Sequence, residues 1–365
     1  MRCHVFIVNN STFPSHLRYM FAGTRAGDKD EDISLLSDIK RVRPGDLIIF
    51  YIEATVENEG GFYGVFRVAK QEPLVFHTRG KNALEPDLNE HKLIYRTLFE
   101  PFEVYPLGIP EWEALDKLPL YSAEIQWTLI YRKLKGKRGC TPILPWETEQ
   151  LIEMIRAKNK GKPIAEGTYK KGLSWDVDKR QIGVSEKRES YPYDRKFSYD
   201  VIKEITSKQK SKHAYETHLQ LYFTENIGID PKLKAVVGSD PSWFGNEVAC
   251  GVGMRKMDIL SITGTGKARE FRLIEFKDEA VIPGITRQLR KYVNWASQDI
   301  GKHLIGAYSW NIRPVVVAPP FNRRNWDSVQ DAFKSFNAES VSLPIQYFEF
   351  SITKSKKMVF EQIEY

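Results

Sequence analysis

Two acidic residues and one lysine in the C-terminal half have the types and spacing to hold a cation beside a phosphate. Asp258 interrupts an apolar run that is typical of a buried strand, and Glu275 and Lys277 follow on the next predicted strand, residues 270–277. Side chains alternate along a strand, so Glu275 and Lys277 share one face. Carboxylates from adjacent strands suit a hard divalent cation, and a neighbouring ammonium can orient or activate an attacking water. This pattern predicts metal-assisted hydrolysis of a phosphodiester.

Asp258, followed on the next strand by Glu275-Phe276-Lys277, resembles the D…(D/E)-x-K signature of the restriction-endonuclease-like nucleases. The resemblance covers about residues 200–350, and residues 255–292 are similar to the archaeal endonuclease family that includes mismatch- and branch-cleaving enzymes. It implies a metal-dependent DNA endonuclease with Asp258, Glu275 and Lys277 as catalytic residues. Asp258 and Glu275 would bind Mg²⁺ or Mn²⁺, which both accept carboxylate and water ligands.

Three flanking residues extend this resemblance. Glu216, on the preceding predicted helix, is similar to the helical glutamate that many members carry as an additional metal or water contact. Gln288 and Tyr292 resemble the Q-x-x-x-Y motif of the RecB-type branch, whose Gln and Tyr lie one helical turn apart beside the catalytic strand. The resemblance therefore adds all three to the catalytic group, and Glu216 also to the metal ligands.

Each of these residues also has an ordinary interpretation. An E-x-K segment is common on an exposed strand edge, and an isolated Asp258 or Glu216 would suit a turn or a helix surface. Gln288 and Tyr292 alone would suit a helix-face hydrogen bond and a core aromatic. The order of helical Glu, strand Asp, hairpin, E-x-K and Q-x-x-x-Y favours the nuclease over a non-catalytic scaffold.

The elements expected around these residues form an α/β, restriction-endonuclease-like nuclease core over residues 200–365. They are a helix over residues 200–226 that is broken near Ser211, strands 254–263 and 270–277 around the turn Gly264-Thr265-Gly266, an amphipathic helix over residues 285–298 and a strand over residues 313–318.

The composition predicts two globular cores joined by a basic connector. The chain has 365 residues, of which 42% are hydrophobic, and this exceeds one typical domain. Between Arg156 and Lys212 sixteen Lys or Arg stand against eight Asp or Glu, while the whole chain has a net charge of +7. We predict an α+β two-domain protein with domains at residues 1–157 and 200–365 and a basic linker at 158–199. The linker either favours a polyanion such as nucleic acid or serves solubility alone.

Residues 1–157 alternate short β-rich runs with turns, which predicts a small, mostly β domain. The predicted strands cover residues 4–8, 46–52, 62–68, 92–102 and 127–131, and the only predicted helices cover residues 33–40 and 147–157. The opening strand, then Pro44-Gly45-Asp46 before the apolar run 47–51, then residues 60–66, resemble the EVE and YTH branches of the PUA-like superfamily. That resemblance implies a PUA-like β-barrel with a pocket that receives a base.

A base pocket needs flat apolar walls that stack the base and a few polar groups that bind its edge. The candidates for hydrogen bonds are Asn9, Asn10 and Ser11, and the candidates for walls are Tyr51, Phe62 and Trp127. The sequence lacks the tryptophan pattern of the YTH branch, and core positions are the alternative for Trp112 and Trp127.

Two groups of cations are candidates for contacts with a DNA backbone. One surrounds Gly136 and Gly139, where a solvated loop is the alternative, and the other lies on the predicted helix after the E-x-K segment. The candidates are Arg132, Lys133, Lys135, Lys137, Arg138, Arg287, Arg290 and Lys291.

Together the two halves predict a modification-dependent restriction enzyme, in which the N-terminal domain binds a modified, flipped base and the nuclease cuts nearby. The alternatives are a structure- or mismatch-specific repair nuclease and a non-catalytic or RNA-directed binding protein. Double-strand cleavage needs two active sites, which favours a homodimer. We expect a cytoplasmic protein without membrane contact, because no apolar run reaches the length of a membrane span. The three cysteines lack C-x-x-C spacing and should be buried thiols.

Overall fold

The computed structural model describes residues 2–25, 33–78, 84, 88, 93–116, 139–167, 170–192, 198–250, 255–265, 269–297, 311–321 and 326–365. The chain is mixed α+β and divides into two compact units, Met1–Ser198 and Tyr199–Tyr365. Cys3, Cys140 and Cys250 are free and buried, as expected. Within the described ranges, no helix is long and apolar enough to cross a membrane.

A curled sheet forms the framework of the first unit. Its described strands are β1 (Cys3–Val8), β2 (Phe21–Thr24), β3 (Leu47–Ile52), β4 (Gly61–Val68), β5 (Phe76–His77), β6 (Tyr95–Val104), β7 (Ile109–Pro110), β8 (Cys140–Ile143) and β9 (Ala165–Glu166). The main path is β2-β6-β4-β3-β1-β8, and β5, β7 and β9 pair at its margins. The central strand β3 is buried along its whole length, because its run of apolar residues packs on both faces of the sheet.

Four described helices accompany this sheet. They are α1 (Phe13–Tyr19), α2 (Ile33–Lys40), α3 (Glu111–Asp116) and α4 (Pro145–Lys158). The sequence signal for α4 is confirmed, since Pro145 opens the helix and Glu147 accepts a 2.9 Å hydrogen bond from the Leu144 amide. The prediction that α2 and α4 are the only helices is wrong, because α1 and α3 are too short for a clear period. Helix α1 is held by packing, with the Phe13 ring 5.2 Å from that of Phe50.

The predicted linker is largely part of the first unit. Strand β9 pairs with β6, and a hairpin of β10 (Gly172–Asp176) and β11 (Gln181–Ser185) contacts α1. Trp175 is 8% exposed, and its ring lies 5.1 Å from that of Phe13 and 4.9 Å from that of Tyr63. The linker prediction is therefore wrong for this segment, because a few large aromatic side chains dock it although its composition is polar.

A mixed sheet of the order β12-β13-β14-β15-β16-β17 forms the framework of the second unit. The described elements are α5 (Val201–Ser211), α6 (Glu216–Asn226), a 3₁₀ turn (Pro231–Leu233), α7 (Lys234–Val237), β12 (Trp243–Ala249), β13 (Lys256–Thr263), β14 (Glu270–Phe276), α8 (Ile285–Trp295), β15 (Asn311–Ala318), α9 (Trp326–Glu339), β16 (Gln346–Ile352) and β17 (Met358–Gln362). Strands β14, β15 and β16 are parallel, and α8 and α9 lie in the two crossovers between them.

The predicted break near Ser211 is confirmed. Helix α5 ends at Ser211, and Lys212 takes the left-handed conformation with φ of 56°. Helix α6 then begins at Glu216, so the break sets the direction of α6 and with it the position of this glutamate.

Candidate active site

The pairing of β13 with β14 brings the two predicted acidic residues together. The strands are antiparallel, and Asp258 and Glu275 are the residues next to the pair of Ile259 and Ile274, at which the register ends. Oδ2 of Asp258 accepts a 2.7 Å hydrogen bond from the amide of Phe276. The sheet therefore fixes one carboxylate by a backbone donor and places the second beside it.

Both oxygens of Glu275 are held by side chains that the sequence pattern had singled out. Oε1 accepts from Lys277 Nζ at 2.6 Å and from Gln288 Nε2 at 2.6 Å. Oε2 lies 3.0 Å from the Tyr292 hydroxyl. Helix α8 packs against β14, and the four-residue spacing of Gln288 and Tyr292 puts both on the face that meets Glu275.

Glu216 completes the cluster from helix α6. Its Oε1 lies 3.5 Å from Lys277 Nζ, so one ammonium stands between two carboxylates from different elements. The amide of Tyr215, at the start of the same helix, donates to Asp278 Oδ2 at 3.3 Å. Asp278 thus attaches the first turn of α6 to the loop that follows β14.

The titration of these groups follows from their crowding. Burial and then the charge of Glu275 raise the pKa of Asp258 well above its ordinary value. Burial, with Asp278 and Glu275, also raises the pKa of Glu216 against the effect of Lys277. For Lys277, burial lowers the pKa, but the charge and hydrogen bond of Glu275 together with the charges of Glu216 and Asp258 outweigh burial, and the pKa is raised. The Lys277 ammonium therefore remains charged, but it does not cancel the repulsion among the carboxylates of Asp258, Glu275 and Glu216.

The donor set fits a hard divalent cation. Asp258, Glu275 and Glu216 provide carboxylate oxygens, and within the described cluster only Lys277 opposes their charge. Such an excess of negative charge on oxygen donors is what Mg²⁺ or Mn²⁺ neutralises. Across the described parts of the chain, no three His, Cys, Asp or Glu side chains are already gathered as an ion-binding group.

Two polar residues that sequence reasoning missed support Asp258. Gln220 Nε2 donates to the carbonyl of Asp258 at 3.4 Å, and Asn246 Nδ2 donates to Gln220 Oε1 at 3.3 Å. Gln220 is 3% exposed and Asn246 is fully buried. The position of Gln220 four residues after Glu216 was the available signal, because it places both on one face of α6.

The first unit contains a cleft of about 350 Å³ near the end of β1. Its lining includes Asn9, Thr24 and Gly139. In the described structure, Oγ1 of the buried Thr24 has no hydrogen-bond partner. A Cβ on Gly139 would lie 2.7 Å from Cβ of Thr24, so a larger residue there would collide with this wall.

The candidates for the base pocket are only partly brought to this cleft. Asn9 lines it, but its Oδ1 accepts from the Thr12 amide and from Ser11, so it holds the turn before α1. The other two candidates for hydrogen bonds to a base, Asn10 and Ser11, are not among its lining residues. The assignment of aromatic walls is wrong for Tyr51 and Phe62, which are 1% and 2% exposed and pack in the hydrophobic core.

Several predicted contacts lie outside the described residues. They are Trp127, Arg132, Lys133, Lys135, Lys137 and Arg138. Trp112, the other tryptophan considered for the core, is 53% exposed.

The cations of α8 divide between two faces of the helix. Arg287 and Lys291 are exposed. Arg290 binds Glu339 Oε2 at 2.8 Å and lies over the Phe336 ring at 5.6 Å. Its guanidinium is directed to α9, so the structure does not place it with Arg287 and Lys291.

No family model matches this chain, and no curated protein matches it. Similar solved structures include a hypothetical protein from Leishmania major, with 12% identity and a TM-score of 0.30 over 43% of this chain and 96% of that one. Human THYN1, solved in complex with 5-methylcytosine containing DNA, has 7% identity and a TM-score of 0.32 over 42% of this chain and 97% of that one. Restriction endonuclease FokI has 14% identity and a TM-score of 0.22 over 52% of this chain and 37% of that one. Likenesses this low assign neither fold nor activity.

Proposed function

We propose that the second unit is a divalent-metal-dependent endodeoxyribonuclease with Asp258, Glu275 and Lys277 as catalytic residues. The observation that supports this most is the fixation of Glu275. Its two oxygens bind Lys277, Gln288 and Tyr292, and Asp258 on the neighbouring strand lies close enough for the two carboxylates to repel each other. A glutamate in an ordinary surface ion pair is not clamped by three donors next to a second carboxylate.

The chain's own residues would orient the reaction. Gln288 and Tyr292 hold the Glu275 carboxylate in one orientation, and Lys277, which is held beside it, would orient a water and a phosphate oxygen. Asp258, Glu275 and Glu216 would hold the cation, which supplies charge neutralisation on the phosphate and a more acidic water when it is bound. Fixed charges of this kind stabilise the transition state without reorganisation.

For the first unit we propose a role in binding a nucleobase, which makes the cleavage modification-dependent. The support is the cleft beside Asn9 and the unpartnered Oγ1 of Thr24, since an unsatisfied buried hydroxyl is suited to a polar ligand edge. A base that leaves its stack needs such a concave site.

The test is cleavage of matched DNA duplexes that are unmodified, adenine-methylated, cytosine-methylated, hydroxymethylated, mismatched or branched, with Mg²⁺ or Mn²⁺. Wild type is compared with Asp258→Ala and Lys277→Ala, and with Lys334→Ala on the exposed side of α9 as a control for lost charge. Cleavage that needs a modified base and is lost in both site variants supports the proposal. Cleavage of branched or mismatched DNA alone overturns the base-binding role, and no cleavage of any substrate overturns the nuclease.

A further inference from the structure

A second cleft, of about 380 Å³, opens beside the candidate active site. It lies between the start of β13 and the start of α8. Its lining residues are Arg255, Lys256, Gly284, Arg287, Gln288, Lys291 and Tyr292. Gln288 and Tyr292 also bind Glu275, so this basic cleft and the candidate active site have these two residues in common.

The charge of the basic cleft is of one sign. Its lining contains four cations and no acidic residue among the described ones. Lys256 binds Glu247 Oε2 at 2.9 Å. Arg255, Arg287 and Lys291 are exposed, and none of them has an ion-pair partner within the described part of the chain. Three cations close together without acids repel one another, and this repulsion is relieved by an anion in the cleft.

The start of α8 adds to the positive potential. Gly284 is the N-cap and provides no side-chain hydrogen bond, and the first turn has no acidic residue. The positive end of a helix dipole is ordinarily accompanied by acids, yet here Arg287 stands in that turn. The helix end and the cations therefore favour the same kind of ligand, an anion.

We propose that the basic cleft binds consecutive phosphates of the DNA strand that enters the candidate active site, with Arg255, Arg287 and Lys291 as the contacts. This rests on the proposed nuclease function and specifies how its substrate approaches Glu275. A single phosphate would pair with one or two of these cations, whereas a chain of phosphates can pair with all three. Because Gln288 and Tyr292 line the cleft and also bind Glu275, a strand held there would lie next to the proposed catalytic carboxylates.

Arg290 provides a matched control on the same helix. It carries the same charge as Arg287, but it binds Glu339 and is not part of the cleft lining. Arg287→Ala and Arg290→Ala therefore remove equal charge at positions three residues apart. Arg287 and Lys291 are exposed, so their substitution leaves the core intact.

The experiment measures binding of the full chain to a fluorescein-labelled DNA duplex in EDTA over a range of KCl concentrations. Arg287→Ala and Lys291→Ala should each lower the slope of log K against log salt by about 0.9, which is about an eightfold loss of affinity at ~0.1 M salt. The double variant should show both effects, and Arg290→Ala should match wild type. An unchanged slope in the double variant, an equal loss in Arg290→Ala, or displacement of DNA by inorganic phosphate at constant ionic strength overturns the proposal.

Because cleavage is not measured, the outcome is separate from that of the nuclease. If the protein binds DNA with these slopes but never cuts it, the phosphate-binding cleft is supported and the proposed nuclease activity is overturned. If the protein cuts DNA but the slopes do not depend on Arg287 or Lys291, the nuclease activity is supported and the phosphate-binding cleft is overturned.

Discussion

The hydroxyl of Tyr292 lies 3.0 Å from Oε2 of Glu275, the oxygen that Lys277 and Gln288 leave free by binding Oε1. The same hydroxyl lies 2.9 Å from the carbonyl oxygen of Lys256. Burial and the nearby charge of Glu275 raise the pKa of Tyr292, so the hydroxyl keeps its proton and shares it between these two acceptors. Tyr292 thus orients the Glu275 carboxylate from helix α8.

Tyr292→Phe removes this hydroxyl and keeps the ring. If Glu275 is a metal ligand as proposed, we expect kcat for DNA cleavage to fall by about 10- to 100-fold, the usual effect of losing a group that orients such a ligand, with little change in KM. The measurement is steady-state cleavage with Mg²⁺. Tyr222→Phe is the control, because the hydroxyl of this buried residue of α6 also binds a carboxylate, that of Asp230, at 2.9 Å. Equal losses in both variants would contradict an orienting role for Tyr292.

Asp258→Asn should stabilise the protein without metal while it abolishes cleavage. Burial and Glu275 raise the pKa of Asp258, so ionisation of the folded protein is unfavourable at neutral pH, and a neutral amide removes this cost. The asparagine oxygen can still accept from the Phe276 amide. We expect the Tm in EDTA to rise by about 2–4 °C, the shift that corresponds to ~1 kcal/mol.

The same scan in Mg²⁺ provides the second half of this test. A cation that binds only the folded protein raises the Tm of wild type and leaves that of Asp258→Asn unchanged. A lower Tm for the variant in EDTA would show that Asp258 stabilises the folded protein rather than destabilising it.

His16 should make the first unit sensitive to acid. Burial lowers the pKa of His16 from 6.5 to about 3. Below pH 6.5 the unfolded chain takes up a proton that the folded chain does not, so stability present above that pH is lost as the pH falls toward about 3. The loss reaches at most about 1.4 kcal/mol per pH unit.

The comparison variant is His16→Gln, which keeps a donor for the carbonyl of Phe21, now 2.7 Å from His16 Nδ1. Urea unfolding between about pH 7 and about pH 4.5 should show wild type losing stability relative to the variant over this window. If the free energy of unfolding changed with pH equally in wild type and His16→Gln, His16 would be taking up its proton in the folded protein too.

Trp175→Ala tests whether the predicted linker belongs to the first unit. Its ring packs on Phe13 and Tyr63, so its removal should cost about 3–5 kcal/mol of unfolding free energy. Trp112→Ala is the matched control, because Trp112 is 53% exposed and should cost far less. Similar small effects for both, in urea unfolding, would mean that residues 172–185 act as a solvated connector.

Local features of the protein were predictable because neighbouring residues encode them. The break after Ser211, the start of α4 at Pro145 and the hairpin of β13 and β14 follow from short signals of capping and period. The common face of Glu275 and Lys277 follows from strand alternation alone. For these features the sequence was sufficient.

Other features depended on residues that are distant in the chain. Tyr51 and Phe62 have the composition of a pocket wall, yet each lies in the core, in a hydrophobic cluster that includes Leu151 and Ile155 of α4. Gln220 supports Asp258 only because α6 packs beside β13, and Arg290 turns away from the cleft because α9 places Glu339 within reach. The sequence by itself singled out the residues that are proposed to carry the chemistry and showed where several local elements begin. Burial and long-range pairing depend on the whole packed chain, so only the tertiary structure decided which of those residues meet.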